Sequence, residues 1–492
     1  MTLADPTAAS RVRPGPVLAV LSLAAFMASL DLFIVNVAFD DIGRDLARAG
    51  SGVSLSHLSW VLNGYAIVYA ALLVPLGRLA DRFGRKRGFL LGLVVFTLAS
   101  AACAASSGLW ELVAFRTVQA AGAALLTPTS LGLLVAATPV AERARAVRIW
   151  AATGALASAA EPVLGGLLVA ASWRWVFLVN LPVGVLALVA AIRFVPDVRE
   201  DRSGPVPDLA GAAVLALGIG ALALALVQGP DWGWTSTSVV AAFVVAVAAM
   251  ALFSRRCVRH RAPVVEVELL RVRAFAWSNL TSLVFSVAFA ASLLTLVLWM
   301  QRVWGFSALQ TGLAVAPGPL MVPIFAAVAQ RLSRRVPVGR IAAVGCLLLG
   351  LGAVVVAAGI GAEPRYALAV LPGWLVGGAG VGLALPTIPS SATLDLPADR
   401  AATGSAVVNM ARQVGSVLGI SMLVVLLGSP VGFEATLAAF RGAWWATGAV
   451  AAVAAVTALG MTPHGPPTST VSVPAAPMPA APAASPAVEP IR

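Results

Sequence analysis

Long apolar runs alternate with short polar connections along the whole chain. Fourteen runs have the length of about 20 residues that a helix needs to cross hydrocarbon. They cover roughly 17–38, 58–77, 88–107, 109–136, 149–170 and 174–194, then 210–228 and 238–254, then 275–300, 308–330, 338–360, 366–388, 403–428 and 440–461. The stretch "RFVPDVREDRSGPVPD", Arg193 to Asp208, is a polar linker that divides the chain after six runs. The pattern therefore predicts six spans, an inserted pair and six more spans. The first run, Val17 to Ala38, is too long for a signal-peptide core of about 7–15 residues and reads as a retained span.

Composition agrees with the pattern. Of 492 residues, 60% are hydrophobic and 11% charged, where a soluble domain carries about 25% charged residues. The net charge of +12 does not point to nucleic acid, because the basic residues lie in short clusters between apolar runs. With the N-terminus in the cytoplasm, 25 of the 33 Lys and Arg fall in inside segments and 6 in outside loops. That bias places both termini inside. Cys103, Cys257 and Cys346 are far apart, as are His57, His260 and His464, so neither a metal nor a redox spacing is present. The tail from Thr462 onward is rich in Pro, Ala, Ser and Thr and is predicted to be disordered. The expected layout is a cytoplasmic N-terminus (1–16), a six-helix half (17–194), a linker with two extra helices (195–274), a second six-helix half (275–461) and the tail (462–492).

Two loops suggest that the halves are repeats. "GRLADRFGRKR", Gly77 to Arg87, follows the second run of the first group, and "QRLSRRVPVGR", Gln330 to Arg340, the second run of the last group. Arg78 matches Arg331, Leu79 matches Leu332 and Arg82 matches Arg335. Repeated halves with a site between them are a transporter architecture.

The first loop resembles the G-x-L-a-D-R-x-G-R-k-x loop of the major facilitator superfamily. Gly77, Leu79, Asp81, Arg82, Gly84, Arg85 and Lys86 match it. "LDLFIVNVAFDDI" (Leu30 to Ile42), "FRTVQAAGAA" (Phe115 to Ala124), "SWRWVFLVNLPVG" (Ser172 to Gly184) and "RQVGSVLGISMLV" (Arg412 to Val424) resemble the fourteen-helix drug:proton antiporter branch, the EmrB/QacA type. The resemblance implies the major facilitator fold and a loop, carried by Gly77, Asp81, Arg82, Gly84, Arg85 and Lys86, that latches the halves by charge contacts and releases when they rock. It also implies an antiporter motif on the fifth span, with Gly154, Pro162, Gly165 and Gly166 in place. In "AAEPVLGG", Ala159 to Gly166, the family's glycine before the proline is replaced by Glu161.

Ionisable residues inside spans are costly and point to function. At about 1.5 Å per residue, Asp31, Arg116 and Glu161 lie roughly 10–14 Å below the outer ends of spans one, four and five. They are expected to form an acid–Arg–acid cluster. Arg⁺ lowers a neighbouring carboxyl pKa, while burial and a second carboxylate raise it, so such a cluster can load and release a proton. Asp31 is the expected carrier, Arg116 the tuning group, and Glu161 a second proton site or an anchor for a cationic substrate. The alternative is a static ion pair. Gln119 is one turn from Arg116. On span thirteen Ser405, Asn409, Arg412, Gln413 and Ser416 share one helical face. Candidate substrate-binding residues are Glu161, Gln119, Asn36, Asn409, Arg412 and Gln413. Most tryptophans flank span ends and read as an interfacial belt. Tyr65 and Trp299, which lie within spans, could stack on substrate.

These features predict an all-α, multi-pass cell-membrane protein, a proton-coupled antiporter exporting amphipathic, often cationic, drugs or antibiotics. A dedicated exporter of one natural product is the alternative, and a proton-coupled uptake symporter a further one. No catalytic cluster and no G-x-x-x-x-G-K-[ST] phosphate loop is present, so an enzyme, a nucleotide partner or a bound cofactor is not expected. The expected partners are protons, a small-molecule substrate and the bilayer, and the expected state is a monomer.

Overall fold

Backbone N–H and C=O groups inside hydrocarbon must be satisfied within the chain, which leaves helices as the solution for this sequence. The computed structural model describes residues 14–48, 54–197, 206–397 and 400–462. The Pro-rich tail beyond Thr462 and the middle of the 193–208 linker lie outside the described residues. Among those described, 14 segments are long and apolar enough to cross a bilayer.

The first six spans are α1 (Pro14–Arg48), α2 (Leu55–Phe83), α3 (Arg85–Ala105), α4 (Leu109–Ala137), α5 (Val140–Ala171) and a sixth made of α6 (Trp175–Leu178) and α7 (Asn180–Phe194). The inserted pair is α8 (Leu209–Trp232) and α9 (Thr237–Arg259), followed by the short α10 (Val267–Arg271). In the last six spans, α11 (Arg273–Leu298) continues into a π-helical turn, Trp299–Val303. Next, α12 (Ala308–Val315) and α13 (Pro317–Leu332) form one span, then α14 (Val338–Gly359). The short α15 (Tyr366–Ala369) leads into α16 (Leu371–Leu394), then α17 (Ala401–Leu427) and α18 (Phe433–Leu459).

Several helices outrun the apolar runs that announce them. α1 continues past residue 38 to Arg48, and α5 starts at Val140 rather than near 149. Helical hydrogen bonding does not stop at the edge of the hydrocarbon, whereas hydropathy does. Caps fix several ends: Ser54 accepts from the His57 N–H at 3.2 Å, and Asp208 from the Gly211 N–H at 2.8 Å. Gly84 closes α2 with φ +116°, a conformation that a side chain would strain.

The packing repeats between the groups of six. α1 packs on α5 as α11 packs on α17, α3 on α4 as α14 on α16, and α3 on α7 as α14 on α18. Close approaches fall on glycines, which drive such packing in a membrane where burial gains little. A Cβ on Gly352 or Gly380 of this second group would collide with the backbone carbonyl of Gly373 or Gly345. Across the groups, α2 meets α17, and α5 meets α12 and α13. The inserted α8 packs on both α2 and α17 and so spans that seam.

At the end of the bundle where α1 finishes and α2 begins, one continuous apolar cluster joins the two groups. Val35, Phe39 and Leu58 pack in it with Trp299, Met300 and Val315. Around it, Arg302 pairs with Asp40 at 2.9 Å, and Gln301 donates to the Val37 carbonyl at 3.0 Å. This end is closed.

Candidate functional site

Asp31 is 1% exposed and sits midway along α1. Its carboxylate accepts from Arg116 Nη1 at 2.6 Å, Gln119 Nε2 at 2.8 Å and Asn180 Nδ2 at 3.1 Å. Four helices converge here. Arg116 and Gln119 are one turn apart on α4, and Arg116 Nη1 also donates to Gln119 Oε1 at 2.8 Å. Asn180 opens α7 where the sixth span breaks. Ser100 of α3 receives Gln119 Nε2 at 3.1 Å and Asn180 Nδ2 at 3.0 Å, and donates to the Phe177 carbonyl at 3.0 Å. A buried charge is tolerable only when paired and hydrogen-bonded; here the Asp31 carboxylate accepts three hydrogen bonds, while Arg116 Nε is buried without a partner among the described residues. The guanidinium carbon of Arg116 lies 4.1 Å from the centroid of the Tyr65 ring and 5.7 Å from that of Phe177. These are cation–π contacts.

Beside this network lies a cavity of about 490 Å³ between the two groups of spans. Its size suits a drug-like molecule. Tyr65 belongs to both places: its ring covers Arg116 and its edge lines the cavity. Tyr69 stacks beside it, with centroids 6.0 Å apart and planes at 10°, and donates to Thr127 Oγ1 at 3.1 Å. Asp31, Arg116 and Gln119 do not line the cavity.

Glu161 stands apart from the pair it was expected to join. Its side chain is buried on the cavity wall and makes no hydrogen bond or ion pair with any described residue. The Asp31 carboxylate is occupied by Arg116, Gln119 and Asn180, and although Arg116 Nε is buried without a partner among the described residues, Glu161 makes no contact with it and lines the cavity instead. The acid–Arg–acid cluster is therefore an acid–Arg–amide cluster. Two of the six substrate candidates also lie elsewhere. Gln119 is spent in the buried network, and Asn36 is buried in α1 away from the cavity lining. Asn409, Arg412 and Gln413 do line it, on the α17 face set by their helical spacing. Trp299 packs edge-on against Phe440 at 5.1 Å and is not in the lining. Among the belt candidates, Trp110, Trp175, Trp232 and Trp234 are exposed, but Trp173 is buried and donates to Asp45 at 2.8 Å.

The Major Facilitator Superfamily model matches residues 21–420. The chain belongs to that superfamily. It is similar to the methylenomycin A resistance protein of Streptomyces coelicolor, 34% identical over 420 residues, covering 85% of this chain and 86% of the relative. It is also similar to the multidrug resistance protein Stp of Mycobacterium tuberculosis, 34% identical over 413 residues (83% and 74%). A third relative is the tetracenomycin C resistance and export protein of Streptomyces glaucescens, 30% identical over 435 residues (87% and 78%). Among solved structures, a D-xylose-proton symporter superposes with a TM-score of 0.66 at 13% identity, over 91% of this chain and 98% of that one. That likeness speaks for the fold. The protein is a multi-pass membrane protein with the major facilitator fold.

The superfamily loop after α2 is held within its own half. Asp81 pairs with Arg85 one turn on at 2.6 Å, Arg85 reaches the Gly132 carbonyl at 3.4 Å, and Lys86 the Ile192 carbonyl at 3.2 Å. Gly77 lets α2 approach Pro128, which a Cβ would meet at 3.2 Å. The link toward the other half runs through Arg78, which pairs with Glu266 at 2.5 Å. Glu266 and Glu268 face Arg400, which precedes α17, at 3.8 and 3.0 Å. Sequence reading passed over these acids because a loop carboxylate carries no signal of its partner. On α5, Gly154 and Pro162 line the cavity. Gly165 lies against Ile34 of α1, and Gly166 against the Ala308 backbone of α12. The Pro162 carbonyl sits where a Cβ on Gly312 would be. Of these four residues, Pro162 and Gly166 make the contact between α5 and α12 across the two groups of spans.

Proposed function

We propose that this chain is a proton-driven exporter of amphipathic drug-like molecules across the cell membrane, with both termini in the cytoplasm. The observation that carries this reading is the sealed Asp31–Arg116 pair separated from a drug-sized cavity by one tyrosine ring. The names of its relatives, which are resistance and export proteins, support the direction of transport. With the termini inside, the closed end of the bundle is the outer one and the cavity serves the cytoplasmic side.

Asp31 is the proton carrier in this mechanism. A proton arriving on its carboxylate removes the anion facing Arg116 Nη1 and frees the guanidinium to move against Tyr65. Because Tyr65 lines the cavity, that movement alters the substrate site. Because α1 packs on α5 at Gly165, it also shifts the α5–α12 contact that holds the outer end closed. A ligand can shift this equilibrium only by binding one state better than the other, and the tyrosine is where proton and substrate meet. No cofactor or nucleotide takes part, and a monomer suffices.

The test is a panel of drug susceptibilities with and without expression, repeated with a protonophore, together with substrate-driven pH changes in proteoliposomes. Protection that disappears with the protonophore supports the reading. Export that persists unchanged in its presence overturns it.

A further inference from the structure

Two ionisable groups on the cavity wall have no partner among the described residues. Glu161 on α5 is 4% exposed and unpaired among the described residues. Arg412 on α17 lines the same cavity, its guanidinium makes no hydrogen bond or ion pair, and its Nε is buried without an acceptor. Among the described residues that line the cavity, they are the only Asp, Glu, Lys, Arg or His side chains. One comes from each half. The contrast with Asp31–Arg116 and Asp208–Arg256, both paired, is sharp. Leaving a buried ionisable group unpaired costs several kcal/mol; Glu161 is buried and Arg412 is partly buried with its Nε enclosed, so two groups of opposite sign on one cavity wall call for something between them.

We propose that the cavity selects zwitterionic amphiphiles, with Glu161 taking the cationic centre, Arg412 the acidic group, and the Tyr65–Tyr69 pair the apolar body. This rests on the exporter reading and narrows its substrate class. With both groups ionised the wall carries no net charge, and a ligand of zero net charge enters without adding any. A purely cationic ligand leaves Arg412 uncompensated, and a purely anionic one leaves Glu161 so. Gln413, and Asn409 through the amide hydrogen not donated to the Ser405 carbonyl, lie on the face of α17 that carries Arg412 and offer further donors to an acidic group. The Asp31–Arg116 pair contributes no net charge to this balance.

The test uses one dye skeleton in two charge states. Rhodamine B carries a cationic xanthene and a free carboxylate; its ethyl ester keeps the cation and loses the anion. Initial rates of pH-driven transport are measured in proteoliposomes over a concentration series. Wild type is expected to favour the acid over the ester by about tenfold in rate over KM, the value of one charge-assisted contact. Arg412→Gln should abolish that preference by losing the acid while changing the ester less than about twofold, and Arg412→Lys should restore part of it. Glu161→Gln should weaken both dyes, since both carry the cation. Monodisperse elution in detergent shows that each variant folds. Equal transport of acid and ester by wild type, or equal losses of both in Arg412→Gln, overturns the zwitterion proposal and leaves the exporter reading intact. Transport of neither dye also overturns it, and the protonophore panel then decides the exporter reading by itself.

Discussion

Asp31→Asn is the sharpest perturbation the network offers. The carboxylate accepts three hydrogen bonds, at 2.6, 2.8 and 3.1 Å, in a site where Arg116 is fully buried. An asparagine keeps one acceptor oxygen, turns an NH₂ toward groups that are themselves donors, and removes the anion. Breaking a buried pair by deleting one partner costs about 3–5 kcal/mol. The Tyr65 ring and Gln119 Oε1 still contact Arg116, and a desolvated cation–π contact offsets about 1–2 kcal/mol of that. The net loss expected is about 1–4 kcal/mol. Arg116→Leu should cost a similar amount, because it strands the carboxylate. The double variant Asp31→Asn/Arg116→Leu removes both charges, so its loss should fall short of the sum by about 1–3 kcal/mol. Thermal unfolding of the purified protein in detergent reads these differences. Proton-driven transport in proteoliposomes should fall to the level of empty vesicles in all three variants. Exchange of labelled for unlabelled substrate, with no pH gradient, should survive in the double variant. Additive stability losses would show that Asp31 and Arg116 do not act as a pair. Normal pH-driven transport by Asp31→Asn would remove Asp31 as the proton carrier.

Other outcomes follow from the same geometry. Gly312→Val should force α5 and α12 apart at the Pro162 carbonyl. Overpacking of this kind costs about 1–3 kcal/mol, and a thiol reagent that enters only from the outer side should label a cysteine introduced by Ser158→Cys in the cavity lining faster; unchanged labelling would dismiss the α5–α12 contact as the outer seal. Glu266→Gln should loosen the Arg78–Glu266–Arg400 bridge. These side chains are partly exposed, so the effect on the balance between the two conformations should be below about 1 kcal/mol, or roughly fivefold in population, readable by spin-label distances between the α2–α3 loop and the start of α17. An unmoved distribution would make the bridge ornamental. For Asp208, burial pushes the carboxyl up, but the hydrogen bonds from Arg256 and the Gly211 N–H, with the nearby charges of Arg256 and His260, outweigh it and hold it below the ordinary carboxylate range. A lowered folded-state pKa contributes stability above the unfolded value of about 4 and loses it as pH falls through the folded one. Asp208→Asn should therefore lower the melting temperature at neutral pH and have progressively less effect toward pH 3; a pH-independent difference would contradict the assignment.

The sequence by itself determined the number of apolar helices and their order, and it set an expected depth for each membrane charge. Those quantities are one-dimensional: hydropathy gives length, and rise per residue gives depth. Depth put Asp31, Arg116 and Glu161 at one level. It could not say which way each side chain turns around its helix axis or which neighbour it meets, and so it grouped Glu161 with a pair that it does not touch. Asn180 and Ser100, which complete the network, had only the weak signal of polar groups in apolar runs, and Tyr65, expected only as a substrate stacker, gave no sign that it covers Arg116. A serine there is more often bonded to its own helix, as Thr129 is to the Leu125 carbonyl. Only the tertiary structure decided that Gln119 belongs to Asp31 rather than to a substrate, that Glu161 and Arg412 share one cavity unpaired, and that Glu266 stands between Arg78 and Arg400. Each of these depends on the rotation and packing of helices far apart in the chain, and these are set by small-residue contacts such as Gly312 on Pro162 that leave no periodic trace in hydropathy.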